Sequence, residues 1–175
     1  LGKIIFFGTI SISMVMFSKV AENFALQKDH RKILYKSLIL VSLFGFSITL
    51  FYFLFPRFTI SILFGSEFFA MGGLLGLFGL LMTIFSLVYI VSFYNISIKR
   101  KNFVYLLLLF NIIEILLISV AHESLLQIVW ILLILVSILF ISLLIYTFIK
   151  DEKPVNSHSS IQRGQKNREN FNLSE

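Results

Sequence analysis

Residues 38–55 read LILVSLFGFSITLFYFLF, residues 56–73 PRFTISILFGSEFFAMGG, residues 74–94 LLGLFGLLMTIFSLVYIVSFY, and residues 95–101 NISIKRK. Neither apolar segment, 38–55 or 74–94, carries a charged side chain. At about 1.5 Å per residue each can cross a hydrocarbon core of roughly 30 Å. Pro56 stops the first segment, and the second runs out at Lys99-Arg100-Lys101. This stretch predicts a membrane hairpin, and the rest of the chain is read by how it packs against that hairpin.

Composition agrees. Of 175 residues, 58% are hydrophobic and 14% charged, with a mean hydropathy of +0.93. A soluble domain of this size needs far more polar surface, so the chain reads as a polytopic membrane protein. The 21 phenylalanines supply lipid-compatible bulk, and the absence of cysteine excludes disulfides and thiolate metal sites. The net charge of +6 comes from short runs beside apolar segments, with no aromatic interleaving. That pattern belongs to membrane orientation and not to nucleic-acid binding. The start, Leu1-Gly2-Lys3 followed at once by apolar residues, has no charged n-region and no small-residue cleavage site. It predicts no signal peptide and a piece of a longer protein entered in mid-membrane.

The fold class expected is all-α, a polytopic bundle of about five spans at 1–18, 38–55, 74–94, 103–121 and 128–149. Loop charges set its orientation. Residues 19–37 hold five Lys/Arg against Glu22 and Asp29, residues 99–101 add three positives, and the tail opens with Lys150 and Lys153. The intervening loops hold only Arg57 with Glu67, and Glu123. By the positive-inside rule Leu1 lies outside and the C-terminus in the cytoplasm of a multi-pass cell (inner) membrane protein. Trp130 and Tyr146 sit where interfacial rings are favoured. Residues 20–36, mixing apolar and basic side chains, predict a helical connection lying on the membrane surface. Residues 58–64 form a short apolar segment, after which Gly65 allows a turn and Ser66 and Glu67 suit the start of the next helix. The polar tail, 150–175, reads as cytoplasmic and disordered.

Three motifs carry a family likeness. They are Phe17-Ser18-Lys19-Val20-Ala21-Glu22 with the basic linker to Lys36-Ser37-Leu38; Leu63-Phe64-Gly65-Ser66-Glu67-Phe68; and Ile96-Ser97-Ile98-Lys99-Arg100-Lys101. With them, residues 1–149 resemble the C-terminal half of the polysaccharide and O-antigen flippases of the multidrug/oligosaccharidyl-lipid/polysaccharide exporter superfamily. Ser18 stands where that family usually has Pro. The resemblance implies the C-terminal lobe of a twelve-span, two-lobe transporter that moves lipid-linked oligosaccharides by alternating access. Its partners would be the bilayer, the lipid-linked oligosaccharide and an N-terminal lobe.

Glu114 is the one acid inside a span, with Asn111 one turn before it on the same face. A carboxylate at membrane depth is costly and is functional by default: a proton- or cation-coupling group, or a substrate contact. The alternative is a packing hydrogen bond to a neighbouring helix. Tyr89, Ser92 and Asn95 follow at i+3 and read either as a cavity wall or as interhelical hydrogen-bonding groups. Gly72 and Gly76 make one small-xxx-small match suited to close helix packing. Arg57 and Lys3 are expected near the outer surface, as contacts for a sugar-lipid diphosphate or as snorkelling cations. His30, His122 and His158 flank no acids at ligand spacing, so no metal site is expected. No phosphate loop or nucleophile elbow is present, so neither enzyme nor cofactor is expected. Besides the flippase, the residues leave open a cation-coupled exporter of small molecules, a membrane sugar polymerase or ligase, and a non-transporting structural subunit.

Overall fold

The computed structural model describes residues 2–26, 28–63, 72–120 and 124–151. These form six helices and no strand: α1 Gly2–Ala25, α2 Arg31–Leu54, α3 Pro56–Leu63, α4 Gly72–Ser97, α5 Phe103–Val120 and α6 Leu125–Asp151. Among the described residues five of them, all but α3, are long and apolar enough to cross a membrane. The Phe64–Phe68 part of the turn motif, with Gly65, Ser66 and Glu67, lies outside the described residues. So do His122, Glu123 and the tail from 152, including Lys153 and His158.

The expected hairpin is the frame of the bundle. α2 closes at Leu54, where Phe55 leaves the helical region (φ −126°, ψ 51°) and Pro56 follows. Proline lacks the N–H that would continue the ladder and clashes with the preceding turn, but its fixed φ suits the first position of a new helix. α3 therefore starts at Pro56. At the other end of α4 the backbone closes in a Schellman turn. Arg100 N–H donates to the Asn95 carbonyl (2.9 Å) and Lys99 N–H to that of Ile96 (2.9 Å). The motif needs a left-handed residue, and Lys99 takes that place at φ 57°. A side chain there costs about 1 kcal/mol relative to glycine.

The connection between the first two spans departs from expectation. Residues 20–36 make no separate surface helix. α1 runs on past Ser18 to Ala25, and α2 begins as early as Arg31. Val20 is fully buried and Leu34 nearly so, in one cluster with Met16, Val41, Ile90 and Tyr94. This apolar stripe continues the core-facing sides of the two spans, while Lys19, Lys28, Lys32 and Lys36 stay exposed.

α4 is the hub. It packs on α2 and α1 on one side and on α6 on the other, and half of its most apolar stretch is buried. Close approach to α2 rests on small residues: a Cβ added at Gly45 would lie 2.6 Å from Thr83 Cγ2, and one at Gly76 2.6 Å from Phe53. Beside Gly45, Thr49 and Thr83 hydroxyls share a buried hydrogen bond of 2.9 Å. Of the pair singled out in the sequence, Gly76 is such a contact, whereas a Cβ at Gly72 would meet only ordinary contacts from α3. Against α1, α4 sets an aromatic run in which Phe6 meets Phe85 and Tyr89, and Phe17 meets Phe93. α5 packs chiefly on α6, and Phe103 is its one buried residue.

Many span hydroxyls bond back into their own helix. Thr9 donates to the Ile5 carbonyl, Ser13 to Thr9, Ser92 to Val88, Ser137 to Leu133 and Thr147 to Leu143.

One end of the bundle gathers the basic turns. His30, between α1 and α2, hydrogen-bonds Tyr94 near the end of α4 (2.7 Å). The Tyr35 ring stacks on Phe148 of α6, and Arg100 donates to the Thr147 carbonyl (3.0 Å). Residues 28–30, the 98–102 turn and the end of α6 are therefore neighbours.

Candidate functional site

A cleft of about 530 Å³ lies between α4, α5 and α6. It exists because α5 leans on α6 and barely touches α4, leaving the facing sides of the α4–α5 hairpin apart. Leu132, Leu135, Val136 and Leu139 of α6 form an apolar floor, and Phe85, Phe93 and Phe110 add aromatic walls. Four polar residues interrupt this surface: Tyr89 and Ser92 from α4, Asn111 and Glu114 from α5.

Their levels follow from helix rise. Ser97 and Phe103 bracket the turn, and Tyr89 and Asn111 each lie eight residues from their bracketing residue. Both are thus about 12 Å from the basic end, with Ser92 about 5 Å nearer to it and Glu114 about 5 Å deeper. Tyr89 is half-buried and packs against Phe93 with its ring tilted by 35° and the centroids 4.4 Å apart. Asn111 is exposed, and its amide donates to the Leu107 carbonyl (2.8 Å). Ser92 is buried and uses its hydroxyl within α4. Glu114 is half-buried in the cleft wall. It is the one carboxylate among the described lining residues, and its oxygens can accept from a cation or from the hydroxyl donors of a ligand.

Not all the sequence candidates meet here. Asn95 turns away from the cleft and is fully buried against α6. Its amide nitrogen donates to the Val91 carbonyl (2.9 Å) and to the Thr147 hydroxyl (2.8 Å), while its Oδ1 has no partner. It is an interhelical hydrogen-bonding group and no part of the cavity wall. Arg57 is exposed on α3, away from the basic turns, and lines no part of the cleft. Lys3 falls in the first turn of α1. Among the described residues no group of His, Asp and Glu could hold a metal ion. His30 is committed to Tyr94.

Sequence reasoning missed three ties that fix the cleft's walls: Thr49–Thr83, Asn95–Thr147 and His30–Tyr94. The first had a signal, since each threonine stands four residues after a glycine, Gly45 and Gly79. That spacing puts a small groove and a hydroxyl on one helix face. The other two join residues 52 and 64 positions apart, with no local pattern to betray them. Comparison with protein-family models, with curated proteins and with solved structures gives no match.

Proposed function

We propose that this chain is a transporting lobe of the kind it resembles, moving a lipid-linked oligosaccharide across the membrane by alternating access. The supporting observation is the cleft: an apolar trough between spans in which Tyr89, Ser92, Asn111 and Glu114 place hydroxyl, amide and carboxylate groups at mid-helix depth. A carboxylate at that depth is costly, and one that faces a cavity between spans marks a pathway by default. Hydroxyl-rich sugars match these polar groups, because carboxylate and amide oxygens accept from hydroxyls and aromatic rings pack on apolar sugar faces. The trough's apolar floor suits the lipid portion. A diphosphate needs cations, which this trough lacks, so an N-terminal lobe would supply them.

In this reading the basic end faces the cytoplasm of the cell (inner) membrane. Arg57 then lies near the outer surface as a snorkelling cation or a first contact for the diphosphate. Because the chain has no cysteine, Lys101→Cys and Arg57→Cys can be labelled cleanly. An impermeant maleimide added outside intact cells should reach position 57 and leave 101 unlabelled.

One observation favours a second reading. Glu114 is the only acid among the described residues of the cleft wall, which suits a cation-coupled exporter of small molecules better than an anionic cargo. The test is surface polysaccharide in cells whose own copy of the gene is replaced by Glu114→Gln or Asn111→Ala. Loss of polymer with normal membrane levels supports the flippase. Normal polymer with lost resistance to lipophilic cations supports the exporter. Silence in both assays leaves the structural subunit.

A further inference from the structure

The bundle's basic end has a use beyond setting orientation. His30–Tyr94 holds the α1–α2 turn against the last turn of α4, and Arg100–Thr147 ties the α4–α5 turn to the end of α6, so both turns lie at one end of the bundle. With their flanking helix ends these turns carry Lys19, Lys28, Arg31, Lys32, Lys36, Lys99, Arg100 and Lys101 against Glu22 and Asp29. Asp29 is already engaged: its carboxylate accepts from the Arg31 N–H (3.1 Å) and lies 3.6 Å from Lys32 Nζ. Lys19, Lys28, Lys36, Lys99 and Lys101 are exposed. Lys19 and Lys36 sit about 8–9 Å inside their helix ends, at a depth from which a lysine stem reaches the head-group level.

Lys99 adds an independent observation. It occupies the left-handed position of the Schellman turn, where glycine is at home and a side chain is strained. Strain kept at an exposed position points to a use for the side chain. The same turn holds Lys99 and Lys101 on a defined backbone at the membrane edge.

From this we propose that the two turns form a binding surface for anionic phospholipid head groups, with Lys28, Lys99 and Lys101 as principal contacts. Two turns tied to the helical core present their cations together, so a phosphate diester of the bilayer meets several lysines at once. Head-group binding here is independent of what the cleft carries.

Full-length protein in detergent would be titrated with phosphatidylglycerol or phosphatidylcholine and the bound lipids counted by native mass spectrometry. Each lysine in contact contributes roughly fivefold to the preference for the anionic lipid. Lys28→Gln with Lys101→Gln should then lower it about 25-fold, and Arg57→Gln, one cation away from this end, should lower it by no more than about fivefold. Lys99→Gly gives a signature that generic charge does not. It relieves the backbone, so its melting midpoint should rise above wild type in phosphatidylcholine nanodiscs. Its gain on moving to phosphatidylglycerol nanodiscs should be smaller than wild type's. Equal loss from Arg57→Gln, an undiminished anionic-lipid gain in Lys99→Gly, or equal protection by inorganic phosphate in detergent would each overturn the proposal.

Discussion

Gly45→Ala tests the α2–α4 frame most directly. The new Cβ would lie 2.6 Å from Thr83 Cγ2 and 2.9 Å from Thr83 Oγ1, where 3.4–4 Å is ordinary contact. Thr83 cannot swing aside cheaply: its hydroxyl holds Thr49 (2.9 Å) and the Gly79 carbonyl (2.9 Å). α2 and α4 must therefore separate by roughly 1 Å, which stretches the Thr49–Thr83 bond past useful length. Overpacking costs about 1–3 kcal/mol, and an interhelical hydrogen bond in a membrane about 0.6 kcal/mol. The expected loss is about 1.5–3.5 kcal/mol. Equilibrium unfolding in mixed micelles, followed through the single tryptophan, Trp130, measures it. Gly73→Ala is the control, since a Cβ there meets nothing within 4 Å. Thr83→Ala removes the two nearest crowding atoms and leaves only its Cβ, at 3.2 Å, so the Gly45→Ala/Thr83→Ala double variant should be more stable than the two losses predict together. If Gly45→Ala is as stable as Gly73→Ala, the close crossing is wrong, and with it the placement of α4.

Asn95→Leu should be nearly neutral while Asn95→Ala loses about 2 kcal/mol: the leucine removes the unpartnered Oδ1 and fills the site, and the alanine leaves a void. The same unfolding assay reads both. Tyr94→Phe deprives His30 of its 2.7 Å partner and should cost about 1 kcal/mol, measured in the same way. Glu114→Gln and Asn111→Ala touch the cleft and no interhelical bond, so their unfolding midpoints should match wild type within about 0.5 kcal/mol even where transport is lost. A large destabilisation from either would make them packing residues.

The spans were legible because length and apolarity alone define them, and the break at Pro56 because proline has one reading there. What faced what was harder. α4 is apolar all round, so no stripe marks which side meets which neighbour. Tyr89, Ser92 and Asn95 look collinear at i+3, yet each step turns the row back by about 60°. By the third member it has left the cleft and met Thr147 on α6. Glu114 with Asn111 was the safer pairing, because one step keeps both on one face, and both line the cleft. The surface helix expected over 20–36 failed because basic residues on a helix end and on a surface helix look alike until Val20 and Leu34 are seen buried together.

The hydroxyls that bond back into their own helices have a mechanical consequence. Thr9, Ser13, Ser92 and Ser137 satisfy themselves without a partner across the interface, so shifting α1, α4 or α6 against a neighbour strands none of them. The contacts such a shift disturbs there are dispersive ones, which re-form at each new register. Resistance to sliding is then concentrated at a few stitches, among them Thr49–Thr83, and at the tight contacts of Gly45 with Thr83 and Gly76 with Phe53. A helix pair built this way would pivot about its stitch as a scissor does about its pin, and moving the stitch along the helices would move the axis of the motion with it.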